Sequence, residues 1–306
     1  MSNRLRNRTE PVGLHASHSS RGMLLFGLPF FGVGVWITLV GLEMVEVDPS
    51  SVHAPMWVLT VVGLIFAASG CLIWSMGWQQ YRQLKLLNKQ KAKYPGEAAM
   101  ADYPWNRDGY SPPRWTPARK AWSAAVFMIV FSSVFNWWAF GSGDGPLPVK
   151  IGIGVLDLIL VWVVWFAIKR TWHALKFGQT RLVYDEFPYL PGETIQLRIE
   201  VPQVLRNGRS ATVTLRQVLE YYEISGHGKN RNKRLVHEVK YEDAQELSET
   251  DLAQWPGIIR TEWTLPKVAT GTQLHAEKPV FWELELKMEV PGLDLEQRYL
   301  LPVYTD

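Results

Sequence analysis

The chain is poor in the residues that build covalently linked or metal-stabilised sites. Its 306 residues include a single cysteine, Cys71, which excludes an intrachain disulfide, a cysteine-based metal cluster and a CxxC redox motif. Signatures of common catalytic sites are also missing, since the sequence contains no GxxxxGK[ST] loop, no HExxH and no GxSxG. We therefore expect a protein that is not an enzyme and that uses no cofactor and no metal.

Charge is absent from three long apolar runs and nearly absent from a fourth. The runs cover residues 23–42, 55–77, 121–141 and 151–168, and the only charged side chain in them is Asp157. At about 1.5 Å per residue, a helix of roughly 20 residues spans the 30 Å hydrocarbon core of a bilayer. The pattern predicts four transmembrane helices in two hairpins.

The first run has a competing interpretation as a cleaved signal peptide, because arginines precede it. It is longer than the usual apolar core of a signal peptide, and acidic EMVEVDPSS follows it in place of a small-residue cleavage site. We therefore predict a retained membrane anchor.

The distribution of basic residues predicts the orientation. Cytoplasmic segments next to membrane helices carry an excess of Lys and Arg. Segment 78–120 holds nine basic and three acidic residues, whereas 43–54 holds three acidic residues and no Lys or Arg. Both termini and the middle segment are therefore predicted to be cytoplasmic.

Small residues recur at fixed intervals in the first two runs. They are Gly27, Gly34 and Gly41 in the first and Gly63, Ala67 and Cys71 in the second. Close helix approach in lipid depends on small side chains, so these stripes predict that the two helices pack as an antiparallel hairpin. Glycine is also common in membrane helices without any such role.

Two polar side chains stand out in the second hairpin, Asn136 and Asp157. By helix rise, both lie at a similar depth near the outer boundary of the membrane, on neighbouring antiparallel helices. We expect them to contact each other, with Asp157 as a helix-packing group. The alternative is a proton or ion site, because an ionisable residue inside a membrane helix is a candidate functional group.

A loop rich in Pro, Trp and basic residues separates the hairpins. The stretch YPGEAAMADYPWNRDGYSPPRWTPARKAW shows no helix or strand period and is predicted to be a loop along the membrane surface. Its aromatic and basic content suits the headgroup region or the underside of a soluble domain. Its motif YPWNRDGYSPPRW contains Pro104, Trp105, Arg107 and Trp115. Its basic residues already follow the orientation rule, so they do not indicate nucleic-acid binding.

This loop, with FPYLPGETIQLRIEV and PVFWELELKMEVPGLDLEQRYLLPVY, resembles a group of bacterial membrane proteins known as domains of unknown function. They have two helical hairpins, a PW-motif loop and a cytosolic β-sandwich. The spacing from Trp105 to Trp115 is longer here. The resemblance implies an arrestin-like sandwich and a bacterial inner-membrane location.

The last part of the chain alternates apolar and polar residues, which is typical of half-buried strands. Seven such strands predict an antiparallel sandwich of immunoglobulin or arrestin type. In FWELELKMEV, the alternation predicts Trp282, Leu284, Leu286, Met288 and Val290 in the core, with Glu283, Glu285, Lys287 and Glu289 in solvent. Segment DAQELSETDLAQW breaks the alternation and is predicted to be a loop or a short helix.

A basic tip lies between two of these strands and contains Lys229, Arg231, Lys233 and Arg234. It could contact anionic lipid or a protein partner. A polar hairpin turn with no such role is the alternative, since turns are usually polar.

Together these patterns predict a multi-domain protein of α plus all-β class, a four-transmembrane-helix region followed by a soluble antiparallel β-sandwich. The predicted regions are an N-terminal tail 1–21, a first hairpin 22–77, a loop 78–120, a second hairpin 121–170 and a sandwich 176–306. The expected function is a membrane scaffold or binding protein, with lipid and a protein partner or homo-oligomer as partners. The alternative is a solute or ion transporter or channel component that uses Asp157 and Asn136.

Overall fold

The computed structural model contains helices and two antiparallel sheets, divided into two compact units. The helical unit is Ser17–Lys85 and Trp115–Trp172; the sandwich unit is Met1–Ala16, Leu86–Arg114 and His173–Asp306. The structure describes residues 3–5, 11–13, 20–48, 55–141, 146–202, 205, 210–225, 231–254, 257–292 and 294–305.

The apolar runs form helices. They are α1 (Ser20–Gly41), α2 (Met56–Lys93), α4 (Thr116–Asn136), which continues into a π-helical turn (Trp137–Gly141), and α5 (Leu147–Phe177). In the described part of the chain, three stretches are long and apolar enough to cross a membrane: Met56–Ser75, Thr116–Gly141 and Leu147–Phe177. The apolar part of α1, Leu25–Gly41, is shorter.

Helices α1 and α2 pack through glycine, as the stripes of small residues in the first two apolar runs predict. A Cβ added at Gly34 would overlap the backbone of Ala67, and one added at Gly63 would overlap the backbone of Thr38. The second stripe was wrong at its end: Cys71 is exposed, and Gly70 is the residue whose backbone meets α1, at Phe31. The α2 residues that face α1 follow intervals of three and four, which places residue 70 on the contact face.

Helices α4 and α5 also meet through small side chains. Ala121, Ala125 and Ala167 form a buried apolar contact, and the indole Nε1 of Trp122 donates to Oγ1 of Thr171 at 2.9 Å. Many large apolar side chains of these helices stay exposed, Leu158 at 72% among them. Such a surface is unfavourable in water and suits lipid.

The sandwich unit contains nine described strands. They are β1 (Asn3–Arg4), β2 (Gly109–Tyr110), β3 (Arg181–Tyr184), β4 (Thr194–Glu200), β5 (Ser210–Ser225), β6 (Asn232–Leu247), β7 (Ile258–Thr264), β8 (Val280–Glu289) and β9 (Leu295–Leu301). The seven predicted strands correspond to β3 to β9. The segment that breaks the alternation contributes the end of β6 and a short helix, α6 (Glu249–Gln254).

The strands form two sheets with the orders β1-β6-β5-β8-β9 and β2-β3-β4-β7. Alternation in β4 buries Ile195, Leu197 and Ile199. These side chains share one core cluster with Leu215 and Leu284 of the other sheet. The two sheets therefore pack face to face as a sandwich.

The predicted solvent face of β8 was wrong at two positions. Glu283 and Glu285 are 0% and 1% exposed, while Lys287 and Glu289 are exposed as predicted. Glu285 is buried because it lies between the guanidinium groups of Arg216 and Arg298. Long cationic side chains on neighbouring strands can cover a carboxylate in this way.

The middle segment differs from the predicted surface loop. Helix α2 continues past residue 78 to Lys93, and the segment then forms α3 (Ala98–Asp102) and β2. Strand β2 pairs with β3, so this part of the chain adds a strand to the sandwich. The first strand of the chain does the same, because β1 pairs with β6.

Candidate functional site

The two polar residues of the second hairpin are in contact, as predicted. Nδ2 of Asn136 donates to Oδ1 of Asp157 at 2.8 Å and to the carbonyl oxygen of Ser132 at 3.2 Å. Both side chains are half-buried. Asp157 thus has a hydrogen-bond donor on the neighbouring helix, which is the arrangement expected of a helix-packing group.

Of the four residues of the loop motif, only Trp105 is buried, at 5% exposure. Pro104, Arg107 and Trp115 are exposed. Arg107 binds Glu97 at 2.7 Å, and Trp115 precedes α4 in the helical unit. The two ends of the motif therefore belong to different units.

Trp105 belongs to a polar cluster that also contains Asp102, His275 and Tyr304; we call it the Trp105 cluster. Nε1 of Trp105 donates to the hydroxyl of Tyr304 at 3.0 Å, and that hydroxyl donates to Oδ2 of Asp102 at 3.0 Å. Oδ1 of Asp102 lies 2.8 Å from Nδ1 of His275. The cluster connects α3 to the segment before β8 and to the C-terminal residues.

Burial keeps the Tyr304 hydroxyl of this cluster protonated. Burial raises the pKa of the Tyr304 hydroxyl, and the charge of Asp102 raises it further. Tyr304 therefore keeps its proton and can donate to Asp102 while it accepts from Trp105. Such a chain of hydrogen bonds compensates the cost of burying polar groups.

The pairing of Asp102 with His275 is an arrangement that can orient a general base. Nε2 of His275 is buried, however, and has no hydrogen-bond partner among the described residues. In that part of the chain, no hydroxyl or thiol nucleophile is held against this nitrogen. The pair joins α3 to the segment before β8.

An open polar cleft of about 700 Å³ lies beside the Trp105 cluster. Its lining combines aromatic, amide and charged side chains: Tyr103, Pro104, Asn106, Gly109, Tyr110, Ser111, Gln179, Arg181 and Glu200. The cleft lies where β2 joins the sheet, so the middle segment forms one of its walls.

A charge network that the sequence pattern missed lies on the outer face of the five-stranded sheet. Arg216 binds Glu242 at 2.7 Å and Glu285 at 2.6 Å, and Arg298 binds Glu285 at 2.9 Å. Burial by itself raises the pKa of the Glu285 carboxyl, but Arg298 and Arg216 outweigh it and lower that pKa to about 2. Arg216 and Glu285 are the buried members of this network, whereas Glu242 and Arg298 are partly exposed. The pairing of strands places Thr214 and Arg298 opposite Glu285. The network could have been predicted only from this cross-strand register.

The basic tip is exposed where the structure describes it. Arg231, Lys233 and Arg234 are exposed, and Nζ of Lys233 lies 4.1 Å from the centre of the Tyr222 ring. Lys229 lies outside the described residues. A lipid or partner contact at this tip stays a prediction.

Comparison with protein-family models gives no match for this chain, and comparison with curated proteins gives none either. Among solved structures, the chain is similar to the sporulation control protein Spo0M from Bacillus subtilis, at 13% identity and a TM-score of 0.26. The similarity covers 42% of this chain and 49% of that protein, so the chain spans about half of the length of Spo0M. Likeness at this level establishes neither a family nor a function for this chain.

Proposed function

We propose that this protein is an integral membrane scaffold or binding protein whose β-sandwich binds a protein partner or a membrane assembly without catalysis. The observation that carries the proposal is that three separate parts of the chain build the sandwich unit. It combines chain from before α1, from the end of α2 up to Arg114, and from the end of α5 onward. The sandwich is thus an integral part of the membrane protein's fold.

The same assembly of the sandwich from three parts of the chain supports four membrane spans. Segments that fold together must lie on one side of the membrane, so the chain between two of them crosses an even number of times. If α2 crosses, α1 must cross as well, although its described apolar part is short. The same argument applies to α4 and α5, and two hairpins follow.

The charge pattern supports a cytoplasmic sandwich. Basic residues concentrate in the segments that join this unit, and the connection 43–54 between α1 and α2 contains only acidic charges. In a bacterial cell, which the family resemblance implies, this orientation corresponds to the inner membrane with both termini inside.

The topology is tested with cysteines in a Cys71→Ala background and a membrane-impermeant thiol reagent. Ser225→Cys, at an exposed position of the sandwich, should be labelled only after the membrane is permeabilised. Met44→Cys, in the acidic connection and 71% exposed, should be labelled in intact cells. The reverse result contradicts the orientation.

The binding function is tested by photo-crosslinking from the full-length chain in cells. Crosslinking side chains at Asn106 in the polar cleft and at Lys240 on β6 sample two exposed surfaces of the sandwich, and Met44 is the control. A scaffold predicts a discrete protein adduct from at least one sandwich position and none from Met44. No adduct from either sandwich position contradicts the proposal.

The transport alternative would use Asn136 and Asp157. The 2.8 Å hydrogen bond between them favours a packing role, because it compensates the polar groups inside the helix pair. Ion flux through vesicles that contain the purified protein, with substitution at Asp157, separates the two functions.

A further inference from the structure

The N-terminal segment of the chain contacts the five-stranded sheet at the edge of β6 and at Glu220 of β5. Two stretches of it are described, residues 3–5 and 11–13, and both contact the sandwich. The contacts use the backbone of this segment to an unusual degree. They therefore indicate what kind of ligand the surface can accept.

The first contact centres on Glu220, which is 0% exposed. Its Oε2 accepts the backbone N–H of Val12 at 2.8 Å, and its Oε1 accepts the N–H of Gly13 at 3.1 Å. Nε2 of His237 lies 2.7 Å from the same Oε2. A buried carboxylate needs such donors, and two of the three come from the backbone of the N-terminal segment.

Shape adds a requirement for glycine. A Cβ at position 13 would overlap the ring of Pro279 and would lie 3.1 Å from Oε1 of Glu220. Any other residue at that position must move away from the carboxylate. The Glu220 site therefore selects a backbone with two consecutive amide donors, the second of which belongs to glycine.

The second contact is the outer edge of β6. Asn3 and Arg4 pair antiparallel with Val239 and Glu238, and the N–H of Leu5 donates to the carbonyl oxygen of His237 at 3.0 Å. Strand β6 is 16 residues long, so in the described chain this pairing covers only a short part of its edge. An open strand edge is a template for another extended segment.

A charged contact fixes the direction of the segment. Nη1 of Arg4 binds Oε2 of Glu223 at 3.1 Å. Glu223 lies three residues after Glu220 on β5. Leu5 and Val12 are partly buried and pack against the apolar core of the sandwich.

We propose that the Glu220 carboxylate and the outer edge of β6 form a binding site for an extended polypeptide, which the protein's own N-terminal segment occupies in cis. A protein partner binds there in trans by displacing that segment with one of the same chemistry, a basic side chain for Glu223 and a glycine for Glu220. This inference rests on the proposed binding function and names its surface and its ligand class. The N-terminal segment then controls access to the site.

The test uses a fluorescent synthetic peptide of residues 1–16 and the full-length chain in mild detergent. The wild-type chain should bind the peptide weakly, because its tethered segment competes at a high effective concentration. A Gly13→Ala chain should bind the same peptide roughly tenfold tighter or more, since its own segment no longer fits. A chain that lacks residues 1–13 is a second receptor, which keeps the test decisive if the Gly13→Ala chain does not fold.

The peptide itself provides matched controls. A Gly13→Ala peptide should bind roughly tenfold more weakly than the wild-type peptide, whereas an Arg4→Ala peptide should lose about fivefold or less, because exposed ion pairs contribute little. Equal binding of the wild-type and Gly13→Ala peptides overturns the proposal. So does equal affinity of the wild-type chain and the chain that lacks residues 1–13 for the wild-type peptide. If the wild-type chain is a dimer and excess peptide dissociates it, the segment that binds in trans comes from a second copy of this chain. That result would overturn binding of a separate protein partner. An adduct at Asn106 but none at Lys240 would refute this site and leave the scaffold function standing.

Discussion

The helical unit and the sandwich unit solve the problem of close packing in opposite ways. In the helical unit, α1 and α2 approach until the backbone of one helix meets the glycines of the other, and side-chain hydrogen bonds join Asn136 to Asp157 and Trp122 to Thr171. The sandwich unit buries whole charges, among them Glu220, Glu283 and Glu285. Small residues dominate one contact and long charged ones the other.

The difference follows from the solvent. In lipid, removal of apolar surface from the surroundings contributes little, so helices associate through close van der Waals contact. In water, apolar burial stabilises the sandwich core, and a carboxylate can be buried only when cations or N–H groups satisfy it. Each unit therefore depends on a different residue type, and substitutions should separate them.

The largest effect is expected at Trp105. Replacement by Ala removes a buried indole and its hydrogen bond to Tyr304, and should lower the free energy of unfolding of the sandwich by about 3–5 kcal/mol. Trp115→Ala, at an exposed position of the same motif, should change it by about 0.5 kcal/mol or less. Chemical denaturation followed by circular dichroism measures both. Similar losses for the two variants would contradict the division of the motif between the units.

Acidification should weaken the sandwich. The folded-state pKa of Glu285 is about 2, below its ordinary 4.5. Its contribution is therefore complete above pH 4.5 and disappears as the pH falls through 2, a loss of roughly 3 kcal/mol. Denaturation midpoints between pH 6 and pH 2 measure the slope. A Glu285→Gln variant should lack this contribution, whereas Glu289→Gln, on an exposed position of the same strand, should retain it.

Gly34→Leu should lower the free energy of unfolding of the helical unit by about 1–3 kcal/mol, because the added side chain must displace the backbone of α2 at Ala67. Gly32→Leu is the matched control, since a Cβ at Gly32 meets nothing within 4 Å. Thermal unfolding in detergent should show a lower midpoint for the first variant alone. Equal midpoints would show that the glycine stripe does not determine helix packing.

The smallest effect concerns Asp157. In a double-mutant cycle with Asn136→Ala, Asp157→Ala removes the acceptor oxygen and should give a coupling energy of about 0.6 kcal/mol, the average for such bonds in membrane proteins. Asp157→Asn keeps an acceptor oxygen and should assemble normally. Unfolding in detergent supplies the four stabilities. Ion flux in vesicles that is lost in an intact Asp157→Asn protein would favour the transport alternative.

Local sequence patterns were sufficient to predict the secondary structure, because helices and strands follow from the spacing of apolar residues. Runs without charge predicted the helices, and a period of two predicted seven strands, because each pattern reports which face of an element leaves water. The contact between Asn136 and Asp157 could also be predicted, because helix rise alone places the two residues at the same depth. Cys71 was misplaced because a helical period of about 3.6 residues allows a step of either three or four after Ala67, and only the structure shows that the step is three, to Gly70.

The alternation in β8 failed for a different reason. It assigned Glu283 and Glu285 to solvent, as alternation does for any charged residue on a strand. The burial of Glu285 depends on Arg216, 69 residues away, and on Arg298, 13 residues away, which reach it only through strand pairing. No local pattern contains that information.

The sequence by itself determined that this chain has an apolar helical part and a strand-rich part, because hydrophobicity and its period are local properties. Only the tertiary structure decided that the sandwich takes strands from the N-terminal and middle segments, that Trp105 lies in its core, and that Glu220 holds the backbone at Gly13. Each of these depends on contacts between residues that are distant along the chain, and such contacts form only when the sheets assemble.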